Sequence, residues 1–184
     1  ETSFEQLADF MLDLQRLGCH NINLVTPTHI LPQILTALKI AIPRGLNIPI
    51  VYNTGGFESV EIIQLLEGIV DIYLIDMRYG ENQVAQKYSA AFNYTEHNQR
   101  AVLEMRRQID KDAIDNDGIM RRGLIIRHLV LPNKLSGTEQ VMRFIAERLP
   151  ADSLISLMSQ YLPYYKSERE EQINRRLKLE EYEE

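Results

Sequence analysis

Five short apolar runs, each closed by a polar or glycine-bearing corner, alternate along the chain with segments of helical spacing. The runs are 22–25, 48–52, 69–75, 124–131 and 154–158. Between them, apolar residues recur every three or four positions over 4–17, 30–42, 58–67, 96–110 and 138–148, the period of a helix with one buried face. In the first helix Phe4, Leu7, Ala8, Met11 and Leu12 carry that period, with Ser3 placed to cap its start and Gly18 to stop it. Residues 81–95 are less regular and predict a short helix and a loop, and 110–118 a polar turn. Apolar strands in alternation with helices predict a parallel sheet covered by helices, an α/β fold.

In such folds ligands bind beyond the carboxyl ends of the strands. The groups that matter are then those that follow each run: Thr26 to His29, Asn53 to Gly56, Asp76 to Arg78, Arg127 to Asn133, and Ser159 to Tyr161. Asp76 ends an apolar run, where a bare carboxylate is costly unless paired or bound. Arg127 interrupts another, and a guanidinium there calls for a carboxylate or phosphate. Gly55 and Gly56 either let a ligand approach the backbone closely or simply make a turn. One acid and two arginines on such a rim suit a zwitterionic small molecule.

Other classes of function fit less well. A net charge of -6 with scattered basic residues argues against a nucleic-acid partner. No run approaches the roughly 20 apolar residues of a membrane helix, and the start lacks the basic and apolar regions of a signal peptide. The chain does not begin with Met, so it is expected to be a piece of a longer protein. Its single cysteine excludes an internal disulfide and points to a reducing, cytoplasmic setting.

The stretch Gly18 to His29 holds that cysteine and two of four histidines. A zinc site from Cys19, His20 and His29 fails on geometry, because neighbours on a strand point opposite ways and His29 lies far along the chain. Cys19 is expected to be buried as a small apolar residue, His20 to be solvated, and His29 to open a helix at the rim. His128 should pack under the helices on the face opposite Arg127, with His97 on the surface. Tyr161, Tyr164 and Tyr165 read either as site or as a packing cluster. The acidic end, Glu180 to Glu184, reads as a solvated face, and Ile173 and Leu177, four apart, predict a surface helix in the tail.

Four segments in order, "GCHNINLVTPTH", "IPIVYNTGGFE", "LEGIVDIYLIDMRY" and "GLIIRHLVLP", followed by "LMSQYLPYY", resemble the radical S-adenosylmethionine superfamily, and within it proteins related to pyruvate formate-lyase-activating enzyme. The resemblance implies a partial, TIM-like (β/α) barrel of mostly parallel strands over residues 1–166, with 167–184 as a charged C-terminal helix or tail. It also implies a [4Fe-4S] cluster on a C-x3-C-x2-C motif, which reductively cleaves S-adenosylmethionine to a 5'-deoxyadenosyl radical. The expected partners are a glycyl radical enzyme or a small molecule as substrate, and flavodoxin or ferredoxin as electron donor.

The family's cysteines follow the first strand of its barrel, upstream of the helix that begins here near Phe4. The chain is therefore expected to lack that strand and the cluster loop, to hold neither cofactor by itself, and to be inactive alone. The cofactor-binding positions carry over residue by residue. Thr26, Thr28 and His29 stand where the family has Gly-Gly-Glu-Pro, keeping Pro27 but not the acid. Asn53, Thr54 and Gly55 match an Asp-Thr-Asn turn, Asp76 and Arg78 an Asp-x-Lys pair, Arg127 a cofactor-facing arginine, and Tyr161 a histidine near the adenosyl group. The other reading of the same rim is a catalytically dead α/β barrel that binds a nucleotide or a phosphate-bearing ligand.

Overall fold

A computed structural model describes residues 2–183. Helix α1 (Phe4–Arg16) opens on a reciprocal cap: Gln6 N–H donates to Ser3 Oγ, and Ser3 N–H donates to the Gln6 side chain. Strand β1 (Ile22–Val25) leads through a turn at Thr28–Ile30 into α2 (Leu31–Ala41). Then come β2 (Ile50–Thr54), α3 (Val60–Leu65), β3 (Ile72–Asp76), α4 (Asn82–Ser89) and α5 (Tyr94–Gln108). The chain continues through β4 (Ala113–Ile114), β5 (Met120–Leu129), α6 (Thr138–Arg148), β6 (Leu154–Met158) and α7 (Leu179–Glu183).

β1, β2, β3, β5 and β6 pair in that order, all parallel, and β4 joins the start of β5 antiparallel. β1 pairs only with β2 and β6 only with β5 among the described residues, so the sheet is open. The register fixes which residues share a face. Tyr52, Tyr73, Ile75, Leu124 and Ile126 lie on one face and pack with Ile63 of α3, Val102 and Met105 of α5, and Val141 and Ile145 of α6. A second cluster joins Ala8, Met11 and Leu12 of α1 to Ile34, Ala37, Leu38 and Ala41 of α2 over Ile22 and Ile50. The opposite face is less covered: Val25 is exposed, and Asn53, Leu74, Ile125, Arg127 and Leu129 are half-buried.

The structure redraws several expectations. Residues 81–95 form α4 and the start of α5, joined by a turn with Ala90 and Asn93 in the left-handed region. β5 begins four residues earlier than its apolar run, because half-buried Met120 and exposed Arg122 pair with β4 around a hairpin. There the Asp115 carboxylate accepts the N–H groups of Asp117 and Ile119. The tail is not one surface helix. Residues 170–178 are irregular, between a short turn at Tyr165–Arg169 and α7.

In that tail Ile173 is buried, and its carbonyl accepts a bond from Tyr161 Oη at 2.8 Å. Nor is the acidic end merely solvated: Glu181 is held by Arg175, which keeps its carboxyl far below the usual range, while Glu184 lies outside the described residues. Cys19 is exposed, not buried, because Gly18 at φ +84° turns the chain outward after α1. Tyr164 and Tyr165 are exposed, so no tyrosine packing cluster forms. Among the described residues no helix is long and apolar enough to cross a membrane.

His128 is fully buried on the helix-covered face, bonded to Met77 O at 2.5 Å and to Thr138 Oγ1 at 2.9 Å. Burial lowers its pKa below the ordinary 6.5. The unfolded chain therefore takes up this proton first as pH falls. The contribution of neutral His128 is complete above pH 6.5 and is lost as pH drops below it. Thermal melts as a function of pH should show the wild type losing stability below pH 6.5 more steeply than a His128→Gln variant.

Candidate functional site

At the carboxyl ends of the parallel strands, Asp76 is the hub. Arg127 lies in register with it on the neighbouring strand, and its Nε donates to Asp76 Oδ1 at 2.7 Å. The same guanidinium reaches across β3 to Asn53 of β2, with Nη2 to Oδ1 at 2.9 Å. Arg78 approaches the other carboxylate oxygen, with Nε at 3.1 Å and Nη2 at 2.9 Å. The Asp76 side chain is only 11% exposed, so this double pairing offsets the desolvation an isolated carboxylate would suffer. Among the described residues Arg78 Nη1 makes no bond, and the Arg78 side chain is 54% exposed.

The backbone of the hub is held as firmly. Asn98 of α5 donates to the carbonyls of Gly56 and Asp76 at 3.0 and 2.9 Å. The hydroxyl of buried Tyr94 accepts the Arg78 N–H at 2.9 Å, and burial raises its pKa so that it stays a phenol. Gly56, at φ +84°, passes so close to Asp76 O and the Asn98 amide that a Cβ there would collide with both. At the tip of β1, Thr26 holds φ +50°, a strained conformation for a β-branched residue, with its N–H bonded to Asn53 O at 2.7 Å.

Two cavities adjoin at Arg78 and Tyr79. One, of about 270 Å³, is lined by Asp76, Leu129, Leu131, Met158 and Tyr161 besides the shared pair. The other, of about 360 Å³, is lined by Thr26, Thr28, His29, Thr54, Gly55 and Glu58, with Phe57 and Tyr94 as aromatic walls. Of the rim residues expected from sequence, eight thus border one of the cavities: Thr26, Thr28, His29, Thr54, Gly55, Asp76, Arg78 and Tyr161. Asn53 and Arg127 stand behind Asp76 and act on it through the bonds above.

Glu58, Phe57, Tyr94 and Asn98 were not anticipated. The Glu58 carboxylate accepts from Thr28 Oγ1 at 2.9 and 3.0 Å and from the Thr54 hydroxyl, and Tyr52 Oη lies 2.7 Å from Thr28 Oγ1. Burial, reinforced by the Glu58 charge, pushes the Tyr52 phenol up to about 12. The signal was the run Gly55-Gly56-Phe57-Glu58 just past a strand end, where an acid looked like the start of a helix.

No group of three or more metal-ligating side chains occurs among the described residues. Cys19 precedes β1, so it lies at the end of the sheet opposite the rim.

An uncharacterized protein of Methanocaldococcus jannaschii is 36% identical over 166 residues, 89% of this chain and 44% of that protein. The chain thus spans less than half the length of the relative it matches. No family model and no solved structure matches it.

The two ion pairs on Asp76 should differ in weight. Arg127→Ala leaves the buried carboxylate half unpaired and should cost about 2–3 kcal/mol, under the full buried-pair range because Arg127 is 27% exposed. Arg78→Ala, at an exposed guanidinium, should cost less than about 1 kcal/mol. Urea denaturation of both variants measures the difference.

Proposed function

We propose that this chain is the cofactor-binding C-terminal portion of a radical S-adenosylmethionine enzyme related to pyruvate formate-lyase-activating enzyme. The observation that carries the reading is the network across the tips of β2, β3 and β5, where Asp76 joins Arg78, Arg127 and Asn53 beside two adjoining cavities. A partial barrel is supported by parallel strands with helices on one face and a less covered opposite face. In this reading the strand missing from the barrel pairs with the free edge of β1.

The rim fits S-adenosylmethionine chemically. Arg78, half-exposed with Nη1 unbonded, suits the carboxylate, and Asp76 and Thr28 offer oxygen acceptors nearby. Tyr161, Met158, Leu129 and Leu131 give the smaller cavity an apolar and aromatic wall, which suits the adenosyl group. Thr26, His29, Thr54 and Gly55 shape the second cavity, and Arg127 and Asn53 hold Asp76 in place. The described residues do not fit a [4Fe-4S] cluster, because the one cysteine is remote from the rim and a cluster needs several thiolates. Its ligands belong, in this reading, to a C-x3-C-x2-C segment upstream of the chain in the longer protein. Bound together in the longer protein, cluster and S-adenosylmethionine would supply a 5'-deoxyadenosyl radical for removing a hydrogen atom from a substrate, with flavodoxin or ferredoxin as the electron donor. The substrate is a glycyl radical enzyme or a small molecule.

The longer protein, expressed anaerobically, should contain iron and sulfide and release 5'-deoxyadenosine and methionine on reduction. Arg78→Ala, which removes the guanidinium set for the carboxylate, should weaken S-adenosylmethionine binding by about 10- to 100-fold, the worth of one charged hydrogen-bond partner. Absence of the cysteine motif upstream, or of 5'-deoxyadenosine, would sink the proposal. Thermal stabilisation by nucleotides but not by S-adenosylmethionine would favour a catalytically dead binding barrel instead.

A further inference from the structure

Among the described residues three acids are buried to below one-tenth exposure: Glu58, Asp76 and Glu104. Asp76 is paired with two arginines and Glu104 with Arg107. Glu58 pairs with no cation among the described residues; its partners are hydroxyls, those of Thr28 and Thr54 with Tyr52 beside them. Proton counting shows how little those hydroxyls supply. Thr28 has one hydrogen, shared between the two carboxylate oxygens, and accepts in turn from Tyr52. Thr54 gives its one hydrogen to Glu58 and accepts the Gly56 N–H at 3.2 Å. With the Tyr52 hydroxyl also within reach of Glu58, at most three hydroxyl hydrogens, none of them on a cation, serve a group with about four acceptor sites.

The place where Glu58 is left short of donors is also the wall of a cavity of about 360 Å³, the size of a small-molecule site. Two more features of that cavity have a matching sense. Phe57, half-exposed, stacks on Tyr94 at 6.1 Å between ring centroids, and Tyr79 meets Tyr94 edge-on, so aromatic rings wall the space near the carboxylate. Such rings attract a cation. Arg78 borders the same cavity with Nη1 uncommitted, a seat for an anion. One wall therefore wants a cation with several N–H donors, and another wants a carboxylate.

We propose that Glu58 is the seat of a ligand's primary ammonium group, and that Arg78 Nη1 takes the carboxylate of the same ligand. The class of ligand is a small molecule with an α-amino-acid end. The ammonium would donate to the unfilled lone pairs of Glu58 while Thr28 and Thr54 keep the carboxylate in place. This deepens the preceding reading and rests on it only for the choice of S-adenosyl compounds as first probes.

Calorimetric titration of the longer protein tests it. The probes are S-adenosylhomocysteine and L-methionine, each beside its deaminated 2-oxo-acid analogue. The wild type should bind the amine-bearing member of a pair about 10- to 100-fold more tightly than the deaminated one. Glu58→Gln, which keeps the shape and one acceptor oxygen, should erase that preference while leaving the deaminated analogue's affinity within about twofold. Should Glu58→Gln fail to fold, the wild-type preference for the amine still decides, since equal affinity within each pair overturns the seat.

Equal weakening of both members by the substitution means a structural role and also overturns it. Binding of S-adenosylhomocysteine with no dependence on Glu58 removes the seat and leaves the S-adenosylmethionine reading standing. Glu58-dependent binding of methionine with no binding of the adenosyl compound does the reverse. If no amine-bearing probe binds, the seat is refuted.

Discussion

Everything at the rim is referred to one buried carboxylate. Asp76 ends β3 in a place where its charge can persist only because two guanidiniums meet it, one from the adjacent strand and one from two residues onward. Arg127 in turn spans β3 to reach Asn53, so three strand tips are tied by a single side chain. The carbonyl of the same aspartate receives Asn98 from α5, which fastens the sheet's edge of polar groups to the helical layer. Loss of this hub would loosen both cavity walls together, since Arg78 is placed by it and Gly56 is packed against it.

Most of the architecture was legible because the parallel strands read as nearly continuous apolar runs, and their polar exits are then conspicuous. Asp76, Arg127 and Asn53 stood out for that reason, and they do bond to one another. His128 was legible too, because alternation along a strand puts it opposite Arg127, and it is fully buried there. Glu58 was hidden by its position. An acid just ahead of a helix is ordinary, since it complements the helix dipole, and nothing local reveals that Thr28, thirty residues earlier, folds over it.

The tail failed for a different reason. Ile173 and Leu177 have helical spacing, but the carbonyls of Gln172 and Ile173 are taken by Asn133 and Tyr161, bonds that only tertiary structure supplies. Cys19 failed because the tendency of cysteines to be buried says nothing about Gly18, whose left-handed turn directs the next residue outward. Exposed Arg121 and Arg122 concealed the β5 extension, since an edge hairpin needs no apolar pattern to pair.

Arg78 borders both cavities while leaning on Asp76. That shared residue makes the two compartments thermodynamically linked. An occupant of the larger space that draws the guanidinium away from the carboxylate changes the charge presented to the smaller one, and linkage requires the influence to be equal in the other direction. With a half-exposed arginine as the only common charged wall, communication between neighbours needs no movement of the sheet, only a choice of partner by one side chain.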